Sequence, residues 1–467
     1  MYGTPVQLIE EYLRAHFSDG EHCTPYGEDI LDEFLKLGPL HYFIPRSMGG
    51  RSAGSESHLR IVETTAYYSL PLGLTLGITG SLFLLPMLKY AAPSLRDRLI
   101  PEFLHGPALG GIMIAEPTGG TDIFGLRTAI SSGPGTMALR GTKCWGGLTG
   151  RAEHWLVAAR KTKGDRLTRR LKLVYVPLSS PGVAVNTYFD ALGLQPITYG
   201  ETQFSDVAVP DTHDLTPKGQ SALRVLYDTL FRSRMGISAI ASGMCKRLAD
   251  ESAKRASARV VFGRSIDSFD QVQYRLSTIR GLSQINHCLW RFTGDWMDRH
   301  DDVSSDYLLV NAVKVVSSDS MVAAADSAVQ LFASAAYKRS HLVGRAYVDS
   351  RPFQLFEGSN DVLHENTFEV VIGRYGSVNP DTISQELHKF GLRIPDDLPQ
   401  GTLPALEIKE ACSQRQKVHY GKIIEWIVVL GILEQMSAQE AMPVEDARRV
   451  ASLQLTARVA ELPYLHC

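Results

Sequence analysis

The residues best suited to chemistry lie in Gln354–Asn360 (QLFEGSN), where Glu357 is a lone carboxylate among aromatic, aliphatic and small neighbours. A carboxylate withdrawn from water holds its proton more tightly, and one tuned towards neutrality is an effective general base. Gly358 follows it and, having no Cβ, lets the backbone come close to a ligand carbonyl. Taken alone, the pattern describes an ordinary turn or helix-end carboxylate. Other chemistries find less support. The six cysteines (Cys23, Cys144, Cys245, Cys288, Cys412 and Cys467) form no C-x-x-C pair and have no histidine at metal-ligand spacing, so they read as reduced thiols. The basic run Arg160–Lys172 (RKTKGDRLTRRLK) holds Gly164 and Asp165 but no aromatic. It reads as a solvated hairpin loop, at most touching a phosphate-bearing ligand, and not as a nucleic-acid surface.

The elements that must position Glu357 follow from composition and period. A chain of 467 residues exceeds one typical domain. With 44% hydrophobic and 21% charged residues, wholesale disorder is excluded. Lys+Arg 48 against Asp+Glu 50 gives a formal charge of -2, which provides no general field for nucleic acid or anionic lipid. Residues 1–110 show apolar residues at helical spacing, as in LDEFLKL and HLRIVETTAYY. Residues 111–212 change to short β-rich runs between Gly, Pro and Ser turns, such as HWLVAARK and LKLVYVPL. Long helical periods return over 213–378, and the Pro-punctuated Gly391–Pro404 falls within a helical extension, 379–467. The expectation is a multi-domain α+β protein: an N-terminal helical domain, a small central β-barrel or sandwich, a C-terminal four-helix bundle and a helical extension.

Two segments need a partner for their apolar surface. Ser69–Leu88 has no charge and is long enough to span a bilayer, but it carries Pro71, Pro86, Gly73, Gly77 and Gly80. It is expected to be a core helix lining an apolar pocket, not a membrane span. Ile423–Met436 (IIEWIVVLGILEQM) is apolar on more than one face. It is expected to pack on its own chain or a symmetry mate, with a carrier-protein docking surface as the sharper reading. The N-terminal stretch reads as an amphipathic helix without the features of a signal or transit peptide, so a cytoplasmic location is expected.

Local motifs now make the α, β, α order specific. Ala115–Asp122 (AEPTGGTD), Leu139–Trp145 (LRGTKCW), elements of Val174–Pro210, Arg259–Ile266 (RVVFGRSI), Ala328–Leu331 (AVQL) and Phe356–Asn360 (FEGSN) stand in order along the chain. Together they resemble the acyl-CoA dehydrogenase family, from about residue 40 to Arg374. The resemblance implies α,β-dehydrogenation of an acyl thioester, with Glu357 as the α-proton base and hydride transfer to FAD. It further implies that the Gly358 N–H meets the thioester carbonyl. Glu116, Thr121, Trp145, Arg259, Phe262, Gln330 and Ser359 would then contact the cofactor, with Arg259 and Phe262 acting across a subunit boundary. Thr121, Arg234 and Gly358 would contact substrate. A homodimer or homotetramer is implied; the electron acceptor is not.

The chain departs from the family pattern at Ala115, Gly147, Asp270, Ala333 and Leu363, where hydroxyl, amide or glycine contacts to the flavin are expected. A second reading therefore stays open: a flavin-independent enzyme using Glu357 for enolate chemistry such as isomerisation, elimination or cyclisation. Some relatives place their base just before the helix arginine, but Ser233 holds that position here. Phe231, where an Asp is usual, suits an acyl group carried on a carrier protein as well as on CoA.

Overall fold

A computed structural model of the chain describes residues 4–466, apart from 22, 24, 165, 409–412 and 441–443. The first unit comprises α1 (Pro5–Phe17), α2 (Glu28–Lys36), α3 (Ser55–Tyr68), α4 (Leu70–Leu76), α5 (Leu85–Tyr90) and α6 (Pro93–His105). Local sequence starts the first of them. Thr4 caps α1 by accepting from the Gln7 N–H, while the Gln7 side chain accepts from the Thr4 N–H. Pro5 opens the helix with a preset φ.

Between α4 and α5 the rod widens into a π-helical stretch, Gly77–Leu84. The charge-free segment is therefore one continuous helical path, Leu70–Tyr90, with 89% of its most apolar window buried in the protein. Tyr307–Tyr337 is also long and apolar enough to cross a membrane, and its window is 83% buried. Gly80 is required where the rod crosses Phe43, because a Cβ there would lie 2.2 Å from the ring. The helical period did not reveal the π stretch, which re-aims Gly77, Ile78, Ser81 and Leu82 into a cavity.

The second unit is a single seven-stranded sheet: β1 (Gly110–Met113), β2 (Ala129–Ser132), β3 (Thr136–Cys144), β4 (His154–Lys163), β5 (Arg166–Pro177), β6 (Val183–Tyr188) and β7 (Gly200–Pro210). β1 pairs with β4 over His154–Val157, and β2 pairs with it further along at Arg160–Lys161. β5 runs antiparallel to β4. Sharing β4 in this way curls the sheet. The basic run expected to be a loop is instead mostly strand: it forms both arms of the β4–β5 hairpin around Gly164. Alternation explains this, since Arg166 and Arg170 are exposed while Leu167 and Leu171 are half-buried. The Asp165 of that turn lies outside the described residues.

The third unit begins with α7 (Ala222–Ala258), then a β8–β9 hairpin (Val260–Val261, Arg264–Ser265), α8 (Asp270–Arg299), α9 (Tyr307–Phe332), α10 (Leu342–Ser350) and α11 (Asn360–Tyr375). α7, α8, α9 and α11 form the bundle, and α7 also packs on α3. Gly243 makes that crossing close: a Cβ would lie 2.1 Å from the Glu63 carbonyl oxygen. The extension adds α12 (Pro380–Lys389), α13 (Gln414–Glu440) and α14 (Glu445–Glu461). α13 lies on α11, α9 and α8, and its apolar run from Ile423 to Leu433 is buried in its own chain. That burial accounts for the apolar faces and leaves no apolar surface there for a carrier protein. Cys23, Cys144 and Cys245 are free thiols, whereas Cys412 and Cys467 lie outside the described residues.

Candidate active site

Glu357 sits in the turn that enters α11, with φ 55°, followed by Gly358 at φ 98°. A non-glycine residue with positive φ is held there by its surroundings, and such strain collects at functional sites. Three elements hold this turn. Ser233 of α7 donates to Glu357 Oε1 at 2.8 Å. Lys314 of α9, fully buried, donates to the Gly358 carbonyl and to Asn360 Oδ1, each at 2.8 Å. Asn360 in turn donates to Asp319 Oδ1 at 2.8 Å.

The residue surface of Glu357 is only partly covered, but its Oε2 is closed off from solvent and has no hydrogen-bond partner. Burial pushes the carboxyl above the ordinary range, against the downward pull of Ser233, Arg234 and Lys314. Arg234 lies beside it, 8% exposed, with an unpartnered Nε and its guanidinium 5.3 Å from the Phe231 ring. This places Arg234 at the carboxylate rather than at an exposed head-group surface. Burial, with Arg234 second, lowers Lys314 to about 7. One carboxylate and two cations are thus desolvated together.

Glu357 and Ser233 line a small apolar cavity. Leu59 and Val62 of α3, Leu74 of α4, Gly77, Ile78 and Leu82 of the π stretch, Ile237 and Ile240 of α7, and Phe356 form most of its wall. An apolar chain fits this lining, and a carboxylate at its edge is dry enough to act on a weak carbon acid.

The residues expected around a flavin divide into two groups. Trp145 follows β3 with φ 60° and is 56% exposed, its ring packed on Phe189 and Tyr199 at 4.6 and 5.9 Å between centroids. Cys144 donates to the Ala115 carbonyl, which sets the exposed Thr121 turn alongside. In that turn Gly119 has φ 128°, and nothing lies within 4 Å of where a Cβ would stand. An open aromatic face beside an open glycine turn fits a flat heteroaromatic ring. Ser359 stands at the start of α11 and makes no side-chain cap bond. Glu116, by contrast, is spent inside the β unit: it accepts from the Arg127 and Thr128 N–H groups and pairs with buried Lys143 at 2.9 Å.

Arg259, Phe262 and Gln330 form the second group, at the other end of the bundle. Arg259 lies 26 residues beyond Ser233, about 39 Å along the helical direction. Arg255 lies 5.9 Å over the Phe332 ring, so the C-terminal ends of α7 and α9 meet there. Phe262 is 92% exposed at the hairpin tip. Within one chain Arg259 thus stands at the far end of α7 from the Ser233–Glu357 contact. Of the departures, Ala333 takes φ 53°, ψ -132°, a backbone that suits glycine, and Ile78 Cδ1 lies 2.6 Å from where a Gly147 Cβ would stand.

Family models of the acyl-CoA dehydrogenase N-terminal, middle and C-terminal domains match residues 5–107, 111–207 and 223–372. The chain belongs to the acyl-CoA dehydrogenase family. Among relatives, the mitochondrial very long-chain specific acyl-CoA dehydrogenase of Mus musculus is 26% identical over 343 residues, 72% of this chain and 52% of that protein. The chain thus spans about half the length of that relative. The short-chain specific acyl-CoA dehydrogenase of Megasphaera elsdenii is 25% identical over 359 residues, 76% of this chain and 92% of that protein. Butyryl-CoA dehydrogenase from the same organism has a similar fold, with TM-score 0.70 and 21% identity over 79% of this chain and 98% of its own. An acyl-CoA dehydrogenase from Bacillus anthracis, complexed with FAD, reaches TM-score 0.79 at 17% identity, covering 99% of this chain and 89% of its own. The fold likeness therefore runs on through the extension, where motif resemblance stops at Arg374.

Ser233 and Lys314 were not expected as supports of the base. In the sequence Ser233 carries no signal beyond being unable to serve as a base. Lys314 had a visible signal, a single cation within the apolar run LLVNAVKVV.

Proposed function

We propose that the protein catalyses α,β-dehydrogenation of an acyl thioester, with Glu357 removing the α-proton. The observation that carries this reading is the state of the carboxylate: Oε1 is fixed by Ser233, Oε2 is desolvated without a partner, and both border an apolar cavity. The acyl chain lies in the cavity with its α-carbon against Oε2. No hydrogen bond from the Gly358 N–H is made among the described residues, so it is available to the thioester carbonyl. Arg234 and Lys314 place positive charge where enolate charge develops, in a medium that screens it little. FAD, when bound, supplies the hydride acceptor. Trp145, Thr121 and Ser359 would hold it from one chain, and Arg259, Phe262 and Gln330 from a second copy, which makes the working unit at least a dimer. CoA and a carrier protein are both compatible as the acyl carrier.

The positions of Ala333 and Ile78 favour a second reading, flavin-independent enolate chemistry at the same base. The visible absorption spectrum separates the two. A protein that carries or takes up FAD supports dehydrogenation. A colourless protein that refuses FAD, yet exchanges the substrate α-proton with solvent, supports the second reading.

Two results follow from the supports of the base. Ser233→Ala removes a hydrogen bond that favours the ionised carboxylate, so the Glu357 pKa rises further. The base must be ionised, so kcat/KM climbs with pH through that pKa, and the acid limb of the S233A profile is displaced to higher pH. An unmoved limb would disconnect Ser233 from the base. Lys314 is lowered to about 7 in the folded chain from 10.5. Between these values the unfolded chain binds the extra proton, so this residue makes stability rise with pH across that window. In Lys314→Met the rise is lost, as urea unfolding at about pH 7 and about pH 9.5 would show.

A further inference from the structure

A second cavity lies beyond the first along the same three helices. The walls step by one helical turn: Val62 gives way to Ala66 on α3, Leu74 to Leu70 on α4, and Ile240 to Met244 on α7. Met244, unbranched and flexible, stands at this step on α7 and is the natural partition to move. The two compartments differ in chemistry. The first is apolar up to the catalytic carboxylate. The second ends in Arg247, Arg345 and the Tyr26 hydroxyl.

These donors exceed the acceptors around them. Arg247 is 5% exposed; its Nη2 donates to the Ser18 carbonyl at 2.7 Å and lies 3.2 Å from Glu251, but its Nε is buried without a partner. The Arg345 side chain is 14% exposed and reaches only Asp349 Oδ2, at 3.9 Å. Among the described residues its guanidinium makes no hydrogen bond. Asp349, which also lines the cavity, already accepts from the Leu194 N–H at 2.6 Å. The Tyr26 hydroxyl is buried, with the Thr75 side chain as its neighbour. Buried donors without acceptors carry a standing cost that an oxygen-rich ligand group removes.

We infer that the second compartment receives the far end of the acyl chain and that this end carries a carboxylate, held by Arg345 and Arg247. The inference rests on the acyl-thioester reading above. Length is consistent with it. Ser233 and Arg247 are 14 residues apart on α7, about 21 Å along the axis. A zigzag alkyl chain advances about 1.3 Å per carbon, so about sixteen carbons join the two ends. The guanidinium fork suits a carboxylate because it can donate two parallel hydrogen bonds.

The test compares hexadecanedioyl-CoA with hexadecanoyl-CoA, which differ only in the terminal group. In the full chain the dioyl thioester is expected to give a kcat/KM about 10- to 100-fold higher, the worth of one or two hydrogen bonds to a charged group. Arg345→Gln brings that ratio to about one, and Arg345→Lys leaves an intermediate value. Equal kcat/KM for the two thioesters in the unmodified protein, or a ratio unchanged in R345Q, overturns the assignment. Equilibrium binding of both thioesters to Glu357→Gln protein keeps this result separate from the catalytic reading. Tighter dioyl binding without turnover in the unmodified protein upholds the second compartment and sinks the dehydrogenase reading. Equal binding of the two sinks the second compartment.

Discussion

Glu357→Gln is expected to lower turnover of an acyl thioester by about 100- to 10,000-fold, the range that a positioned general base contributes. Exchange of the substrate α-proton with solvent is expected to stop with it. The substitution is nearly isosteric, and the amide oxygen can still accept from the Ser233 hydroxyl, which lies 2.8 Å from Oε1 in the native chain. What disappears is the ability to take a proton. Stability should not fall, since a buried carboxylate held against its desolvation is replaced by a neutral group. A loss of activity with an unchanged or raised unfolding midpoint is therefore the specific signature. Undiminished α-proton exchange would place the base elsewhere, in both the flavin-dependent and the flavin-independent reading.

The second large effect concerns the extension. Glu425 of α13 is 1% exposed and binds two residues of α11: the Thr367 hydroxyl donates to its Oε1 at 2.8 Å, and His364 Nδ1 pairs with its Oε2. One turn earlier Gly421 lets the helices touch, because a Cβ there would lie 1.9 Å from the His364 carbonyl oxygen. Glu425→Ala is expected to cost about 1–3 kcal/mol, the penalty for leaving the buried Thr367 hydroxyl and His364 ring without their acceptor. Glu425→Gln, which keeps an acceptor for Thr367, should cost less. Urea unfolding measures both. α11 starts directly after the Glu357 turn, so E425A should also lower kcat while leaving any flavin spectrum in place. A change below about 1 kcal/mol would show that the extension is peripheral to the bundle.

Legibility varied with the range of the interaction. The α, β, α order could be read because helical and strand periods repeat within ten or so residues. Trp145, Thr121 and the Glu357–Gly358 pair could be read because short motifs carry them, and the chain places Trp145 and Glu357 at positive φ. The hairpin around Gly164 was anticipated as a turn but not as the end of two strands, since pairing depends on the register of β4 and β5. The π-helical stretch was invisible for a related reason: its wider winding accommodates Phe43 and the β unit, which no local propensity encodes. The support of Glu357 was the least legible part. Ser233, Lys314 and Asn360 are far apart in the chain and meet only where α7, α9 and the start of α11 converge.

By itself the sequence determined the three-unit plan and the family, and it singled out Glu357 as the candidate base, because each depends on residues close together or in a family-specific order. Only the tertiary structure decided the condition of that carboxylate: one oxygen bonded, one bare, two buried cations beside it and an apolar cavity in front. It also decided that Glu116 is a β-unit anchor and that the apolar helix of the extension is buried in its own chain. It showed that Arg259 follows the far end of α7 from Ser233, which holds Glu357. The physical reason is common to all of these. Desolvation, ion pairing and reach are properties of distances between segments, and a linear order of residues specifies them only after the segments have packed.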